Sequence, residues 1–396
     1  MPSDWKEFKW GDIASLEYGK ALRTYQESNG RYPVYGTNGL IGWHDTPLCN
    51  SDGIIIGRKG AYRGVHYSHV PFFVIDTAFY LKPKIKDLDM RFAYYELLTH
   101  DINSMDSGSA IPSTSRSEFY NLTVKLPPFE EQQTIGHILG TFDDKIELNQ
   151  QMNKTLEEIG QAVFRRWFVD SEFPNEEGKP YKSSGGEMVY NEEMDKQIPA
   201  RWQVKPIDEI ADFLNGLALQ KFPARDGEAF LPVVKIRELR QGITESSDKA
   251  NLDLPKEYIV NDGDVLFSWS GSLEVVIWGF GRGALNQHLF KVTSSKYPKW
   301  LFYQWIMEYL PQYRQIAADK ATTMGHIQRY HLRNSLVAVP DDETLNGISR
   351  VLSPIFDKLI LIRVETRTLS QIRDSLLPKL MSGKIRVPVP KENVEA

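Results

Sequence analysis

The second half of this chain repeats the pattern of the first half. The segment from Trp5 to Leu22 is matched by the segment from Trp202 to Leu219, at an offset of 197 residues. Further along, Ser51-Asp52-Gly53 is matched by Asn261-Asp262-Gly263 at an offset of 210, and from Ile111 onward the offset is 213. The drift from 197 to 213 predicts about sixteen extra residues in the second copy. A chain of 396 residues that repeats in this way is expected to build two similar units.

Each copy ends in a long helical segment. Apolar side chains recur at steps of three and four from Ile135 to Trp167, and again from Ile348 to Leu380. This spacing predicts two helices of about 38 residues, each roughly 57 Å long and with one narrow apolar stripe. Neither half offers a second helix of similar length, so we expect the two helices to cover each other as a coiled coil. Ser353 and Pro354 are compatible with a kink or a new helix start.

Each long helix is preceded by sequence of a different kind, with short β-type runs broken by turns. Asn38-Gly39 and Asp52-Gly53 are typical of hairpins. The segment 170–199 is rich in Glu, Gly, Ser and Pro, which indicates an exposed linker. It is long enough for the two helices to lie antiparallel, with a β-rich head at each end and pseudo-two-fold symmetry. The predicted α/β (α+β) chain is divided into a first head (1–128), a helix (129–169), the linker (170–199), a second head (200–340), a second helix (341–383) and a tail (384–396).

Charge and composition exclude several classes of protein. The formal net charge is −5, but the segment from Asp170 to Asp195 alone holds eight acidic residues and two lysines. The rest of the chain is therefore close to neutral, which permits local basic faces without requiring them.

The single cysteine, Cys49, excludes an internal disulfide framework and a multi-cysteine zinc site. No run approaches the roughly 18 apolar residues of a membrane span, and the N-terminus does not resemble a signal peptide. We expect a cytoplasmic protein with no membrane partner.

Three groups of residues carry side chains of the types that proteins use to hydrogen-bond DNA bases and phosphates. The first is the cation-rich segment 57–64 with its hydroxyl-rich repeat partner 267–272. The second is the pair of loops that end at Arg116 and Arg329, which are equivalent in the repeat. The third is Lys235-Ile236-Arg237, whose alternation predicts two cations on one face of a strand. The candidate DNA-binding residues are Arg58, Lys59, Arg63, Ser113, Thr114, Ser115, Arg116, Lys235, Arg237, Ser268, Ser270, Ser272, Thr322, Thr323, His326, Gln328 and Arg329.

Each group also has a purely structural interpretation. The first can be a solvated hairpin turn, and the arginines of the second can pin their own loops through carboxylates. The third can be an ordinary exposed strand.

No catalytic or metal-binding residues are predicted. Leu126-Pro127-Pro128-Phe129 lacks the Asn or Asp that amino-group methylation needs before the two prolines, and there is no Walker-type lysine loop. The eight histidines are not spaced with carboxylates as metal ligands. The glycines from Gly279 to Gly283 have part of a dinucleotide-binding spacing, but β-type sequence follows them, so a turn is expected.

Several motifs resemble those of the DNA-specificity subunits of type I restriction-modification systems. The segments Tyr35–Gly42, Asp262–Gly271 and Ala284–Phe290 are similar to parts of the family's target recognition domains. Leu126–Gln132 resembles its central conserved region, and Leu376–Gly383 resembles its distal conserved region. The resemblance covers nearly the whole chain, and the doubled architecture makes it more specific than any single motif.

The resemblance implies a non-catalytic subunit, active in phage defence, that reads a bipartite target in double-stranded DNA with one half-site per head. It also implies that two modification (methyltransferase) subunits dock on the helices and that restriction subunits complete the nuclease. S-adenosylmethionine and ATP are expected on those partners, and no cofactor on this chain. The helices would act as a spacing ruler. The alternative is a coiled-coil scaffold whose two heads bind only protein, which would be indifferent to DNA sequence.

Overall fold

The computed structural model describes residues 4–25, 30–105, 111–225, 227–319 and 325–388. The chain divides into two compact units. Unit 1 consists of Met1–Ile146 together with Leu369–Ala396, and unit 2 consists of Glu147–Thr368. Unit 1 is therefore built from both ends of the chain.

Unit 1 contains nine strands, three short helices and one end of each long helix within its described residues. The strands are β1 (Lys6–Lys9), β2 (Ala14–Tyr18), β3 (Tyr32–Gly36), β4 (Gly39–His44), β5 (Gly53–Gly57), β6 (Val65–Ser68), β7 (Phe73–Val74), β8 (Ala78–Pro83) and β9 (Thr123–Leu126). The short helices are α1 (Trp10–Ile13), α2 (Met90–Leu97) and α3 (Arg116–Asn121), followed by the long helix α4 (Phe129–Phe164). A 3-10 turn covers Ile102–Ser104.

Two sheets form the head of unit 1. One has the strand order β2-β8-β5-β6 and the other β4-β3-β7, while β1 pairs with β9. The hairpin predicted at Asn38-Gly39 is confirmed, because Gly36 lies opposite Gly39 and Gly39 has a φ of +106°. The hairpin predicted at Asp52-Gly53 is wrong. Gly53 starts β5, which pairs with β6 and β8 rather than with the strand before it.

Unit 2 contains twelve strands, four shorter helices and the other parts of the long helices within its described residues. The strands are β10 (Met188–Asn191), β11 (Lys196–Pro199), β12 (Gln203–Pro206), β13 (Asp212–Asn215), β14 (Leu231–Val234), β15 (Lys249–Ala250), β16 (Ile259–Val260), β17 (Val265–Ser268), β18 (Val275–Ile277), β19 (Gly283–Leu285), β20 (Leu289–Thr293) and β21 (Leu336–Val339). The helices are α5 (Ile207–Ile210), α6 (Ile236–Gln241), α7 (Lys299–Asp319), α8 (Arg329–Arg333) and the long α9 (Asp342–Met381). Two 3-10 turns cover Leu219–Lys221 and Lys256–Tyr258.

The topology of unit 2 repeats that of unit 1. The sheet β13-β20-β17-β18 has the same connections as β2-β8-β5-β6, and β12 pairs with β21 as β1 pairs with β9. In the second sheet β14 pairs parallel with β19 and antiparallel with β15, as β3 does with β7 and β4. The internal repeat predicted from the sequence is confirmed at the level of strand pairing.

The two long helices have the predicted length and run antiparallel in each unit. Helix α4 has 36 residues and α9 has 40, and α9 continues without a break through Ser353 and Pro354. In unit 1, Arg373 of α9 donates to Asp143 of α4. In unit 2, Asn149 of α4 donates to Glu365 of α9 at 3.0 Å. The helices also pack into the heads, because Ile135 and Leu139 belong to the core of the first head.

Two parts of unit 2 differ from the sequence-based expectation. The segment 170–199 is not simply an exposed linker, because it contains the β10–β11 hairpin and buries Phe173 and Ile198 in the core. Helix α7 was not predicted. Its side chains from Trp300 to Ile306 are all buried, so the helix has no polar face there to reveal a helical period.

The segment after α9 is fastened to the start of the chain within unit 1. Arg386 donates to the buried carboxylate of Glu131 at 2.7 Å and to Asp4 at 2.7 Å. The indole of Trp5 donates to the same glutamate at 3.3 Å. Because the Arg386 guanidinium donates to two carboxylates, it links three parts of unit 1: the start of the chain, the start of α4 and the segment after α9.

Candidate nucleic-acid interface

Two of the loops predicted to contact DNA lie side by side in unit 1. Lys59 and Ser113 form an antiparallel β-bridge. The Gly60 amide donates to the Pro112 carbonyl at 3.0 Å, and the Thr114 amide donates to the Arg58 carbonyl at 2.9 Å. The segments 57–64 and 111–116 therefore form one continuous surface although they are more than 40 residues apart in the chain.

Unit 2 pairs the equivalent loops in the same way. Ser270 and His326 form an antiparallel β-bridge. The Gly271 amide donates to the Gly325 carbonyl at 2.8 Å, and the Ile327 amide donates to the Trp269 carbonyl at 2.9 Å. The two heads thus use one backbone arrangement to present different side chains.

The strand register defines which side chains correspond. Gly57 lies opposite Ala78 on β8, and Ser268 lies opposite Leu289 on β20. The residue that directly follows each strand is Arg58 in unit 1 and Trp269 in unit 2. An indole in the second head therefore takes the place of a guanidinium in the first.

In unit 1 two arginines flank an exposed aromatic ring. Tyr18, at the end of β2, is 49% exposed, and the guanidinium carbons of Arg58 and Arg116 lie 4.8 and 5.3 Å from its ring centre. Arg116 donates to the hydroxyl of Tyr120 at 2.9 Å. This bond, and a weaker contribution from the Tyr18 hydroxyl, raise the pKa of Arg116 above its ordinary value. The cluster is a fixed positive charge beside a ring that can stack on a base.

Two further side chains of the same surface are exposed to solvent. Lys59 is exposed, and Tyr62 is 80% exposed on a loop that carries no acidic residue from Gly57 to Gly64. Arg58 donates to the Asp76 carbonyl at 2.7 Å, which orients its guanidinium without neutralising it.

In unit 2 the same position is aromatic and imidazole-rich. The Trp269 indole donates to Asn215 at 2.8 Å, and Ser270 hydrogen-bonds His288 at 2.9 Å. Arg329, the first residue of α8, donates to the Phe213 carbonyl at 3.1 Å and lies 5.7 Å from the ring of Phe290. Arg116 is likewise the first residue of α3, so the predicted equivalence of the two arginines is confirmed in the fold.

Five predicted contact residues are buried and support the loops from inside. They are Arg63, Thr114, Ser115, Ser268 and Ser270. Arg63 is 3% exposed and donates to the carbonyls of Asn103 and Met105 at 2.7 and 2.8 Å, so it anchors the 3-10 turn. Thr114 donates to the Gly57 carbonyl, and Ser115 accepts from the Glu118 amide as the N-cap of α3.

In unit 2, Ser268 is held by its own turn. It donates to the Ser272 carbonyl and accepts from the Glu274 amide, each at 2.7 Å. Ser272 and Gln328 are exposed, and Ser113 is half-buried. Thr322 and Thr323 lie outside the described residues.

The prediction for Lys235 and Arg237 is wrong in its geometry. Strand β14 ends at Val234, and Lys235 is the N-cap of α6. Lys235 pairs with Asp248, and Arg237 donates to the buried Glu238 at 2.7 Å. Both cations therefore neutralise carboxylates of their own unit, and they do not share a strand face.

Two arginines near the second head's loop were missed. Arg240 and Arg314 both donate to Glu274, at 3.2 and 3.3 Å, beside a cavity that Gly271 and Gly325 also line. Two cations share one carboxylate, which leaves one positive charge next to the paired loops. The sequence carried no signal for this cluster, because its members lie on α6, α7 and the turn after β17.

Two features that would indicate another class of protein are absent from the described parts of the chain. No group of three or more His, Cys, Asp or Glu side chains there could hold a metal ion. None of the helices there is both long and apolar enough to cross a bilayer.

Comparison with known proteins gives consistent matches. A family model described as the type I restriction modification DNA specificity domain matches residues 2–158 and 199–372. The type I restriction enzyme MjaIX specificity subunit of Methanocaldococcus jannaschii is 31% identical over 295 residues, which are 72% of this chain and 66% of that protein. The HindI specificity subunit of Haemophilus influenzae is 22% identical over 467 residues, covering 97% of this chain and 100% of that protein.

A solved structure has the same fold. The crystal structure of a type I restriction-modification S subunit from M. genitalium matches with a TM-score of 0.63 at 16% identity, over 95% of this chain and 96% of that one. The two family-model matches coincide with the two copies of the repeated topology.

Proposed function

This chain belongs to the family of type I restriction-modification DNA specificity subunits, and from that premise we propose that it reads a bipartite sequence in double-stranded DNA. Each unit contacts one half-site through its pair of bridged loops. The observation that carries this proposal is the shared bridge, Lys59 with Ser113 and Ser270 with His326. Two copies of one loop arrangement with different side chains suit a target whose two halves differ in sequence.

The side chains support different modes of readout in the two heads. Around Tyr18 the first head offers guanidinium and ammonium groups, which bind guanine edges and phosphates. Around Trp269 the second head offers an indole, imidazoles and the exposed hydroxyl of Ser272, which favour stacking and neutral hydrogen bonds. We therefore expect binding by the first head to depend more steeply on salt.

The methyltransferase subunits dock on the long helices. Leu148 and Ile159 of α4 and Val351 and Leu361 of α9 are between 44% and 64% exposed. Large apolar side chains on otherwise polar helices are characteristic of surfaces that a partner covers. Catalysis, with S-adenosylmethionine and ATP, belongs to the methyltransferase and restriction subunits, and this chain supplies no catalytic group.

The test is a selection from random duplex DNA with this chain co-expressed with the modification subunits of its host. We expect enrichment of two short defined blocks separated by a spacer of fixed length and unspecified sequence. A stable complex that enriches no motif would contradict the proposal and favour the scaffold that binds only protein.

A further inference from the structure

Unit 2 contains a cavity of about 680 Å³ that is lined by none of the candidate DNA-binding residues. We propose that it receives a basic, arginine-bearing segment of the methyltransferase subunit. The inference rests on the proposed function for the identity of the partner, but its chemistry is read from the cavity itself. A volume of this size accommodates a few residues of an extended chain rather than a single side chain.

Stacked aromatic rings line one side of the cavity. Phe173 lies between Tyr181 and Trp202, with ring centres 4.6 and 5.0 Å apart and interplanar angles of 16° and 27°. All three residues line the cavity, as does Trp167 from the turn that ends α4. Phe173 is covered by rings on both sides and Trp202 is buried, which leaves the half-buried Tyr181 and Trp167 as the rings on which the planar guanidinium of an arginine can stack.

The charged residues around the cavity are predominantly acidic. Glu176, Glu177, Glu187, Asp341 and Glu343 line it, against one cation, Arg201. Glu177 already pairs with Lys179, and Asp341 caps α9 by accepting from Thr344. Glu176, Glu187 and Glu343 are exposed, and their carboxylates form no ion pair within the described part of the chain. Such a rim attracts a cationic segment and repels the phosphates of DNA.

Two further observations fit an inserted polypeptide segment. The indole nitrogen of Trp202 is buried, and it has no hydrogen-bond acceptor among the described residues. A buried N–H without an acceptor costs about 1–3 kcal/mol, and a carbonyl of an inserted segment would satisfy it. Gly347 lines the same cavity on α9, and a Cβ atom there would meet nothing within 4 Å. The cavity is therefore open above the helix at this position.

The experiment compares two variants of the full-length chain with a control that has the same charge change as the first variant. Glu176→Gln/Glu187→Gln removes two charges of the rim, and Gly347→Leu fills the open space without changing charge. Asp45→Asn/Asp87→Asn removes two exposed charges in unit 1. Two quantities are measured: retention of the co-expressed methyltransferase subunits at increasing NaCl, and binding of a fluorescein-labelled tetra-arginine peptide to the isolated chain by anisotropy. Thermal melting confirms that each variant is folded.

We expect both cavity variants to weaken peptide binding at least tenfold and to lose the methyltransferase subunits at lower salt, and the control to change peptide binding less than twofold. If the control weakened peptide binding as much as the cavity variants do, the effect would be due to general surface charge, and the proposal would be overturned. Unchanged retention or unchanged peptide binding in either cavity variant would overturn it as well. DNA selection separates the two hypotheses: a complex that docks through the cavity but enriches no split motif would refute the proposed function alone.

Discussion

At the scale of single residues, arginines of one short loop have opposite roles. Arg58 and Arg63 both belong to the cation-rich segment, yet Arg58 lies at the surface over Tyr18, whereas Arg63 is buried against backbone carbonyls. The sequence shows the charge of the loop but not the direction of each side chain. Only the packing of Ile102–Ser104 against the loop separates the exposed candidate contact, Arg58, from the internal anchor, Arg63.

Replacing Arg63 tests this separation. Arg63→Ala removes the donor to the buried Met105 carbonyl, at a cost of about 1–3 kcal/mol, and the donor to the part-buried Asn103 carbonyl, so we expect a clear fall in the free energy of unfolding. Lys59→Ala is the matched control on the same loop, and its effect on stability should be within about 0.5 kcal/mol because Lys59 is exposed. Denaturant titration measures both. Equal stability of the two variants would show that Arg63 is not an anchor.

The equivalent arginines of the two heads provide a paired test of DNA reading. Arg116→Ala, in the complex with the methyltransferase subunits, should lower affinity by about 1–3 kcal/mol and relax the sequence preference in one half-site only. Arg329→Ala should relax the other half-site. Selection from random duplexes measures both preferences, and Lys86→Ala, which removes an exposed cation of unit 1, is the control. Relaxation of both half-sites by one substitution would contradict the assignment of one half-site to each head.

At the scale of elements, a helix or strand could be predicted only where its apolar and polar residues alternate with a regular period. Helices α4 and α9 have a polar face, so their spacing of apolar residues was visible. The first turns of helix α7 are buried on most sides, so its sequence has no alternation of apolar and polar residues with a helical period there. The prediction that Lys235 and Arg237 lie on a strand was wrong for a different reason. Two cations at alternating positions form too short a pattern to distinguish a strand from the start of a helix. The pairing of the two loops in the candidate site is a contact between residues far apart in the chain. In the sequence, only the internal repeat indicated that these loops correspond in the two units.

Two glycines on the long helices should respond to alanine in opposite ways. A Cβ at Gly136 of α4 would lie 2.8 Å from the capping carboxylate of Asp89 and 2.9 Å from the Phe92 amide, so Gly136→Ala should destabilise unit 1 by about 1–3 kcal/mol. Gly347→Ala on α9 meets nothing within 4 Å and should stabilise by up to about 1 kcal/mol, because alanine is the better helix former. Thermal melting checks the sign. A stabilising Gly136→Ala would contradict the close packing of α2 on α4.

At the scale of the whole molecule, both long helices run from one unit into the other. Helix α4 passes from unit 1 to unit 2 after Ile146, and α9 passes back after Thr368. The proposed function predicts that these two continuous helices set the spacing between the two half-sites.

Lengthening the helices tests the ruler. Seven residues inserted after Ile146 and seven after Thr368 add about 10 Å of helix and preserve the heptad register. We expect the preferred spacer to grow by about three base pairs, at roughly 3.4 Å per base pair. Selection from random duplexes measures the spacer. Insertion into α4 alone should change the spacer or abolish binding, and an unaltered spacer in the double insertion would refute the ruler.

The construction of unit 1 from both chain ends has a consequence for synthesis on the ribosome. Its first 146 residues emerge early, but the helix end and Arg386, which complete its core, are made only after the whole of unit 2. At about 5–20 residues per second, the 222 residues of unit 2 impose a delay of roughly 10–45 s. During that interval Ile135 and Leu139 lack the late-arriving Leu380 of their core. The N-terminal part of unit 1 is therefore translated first, but its core can be completed only after all of unit 2 and the end of α9 have been made.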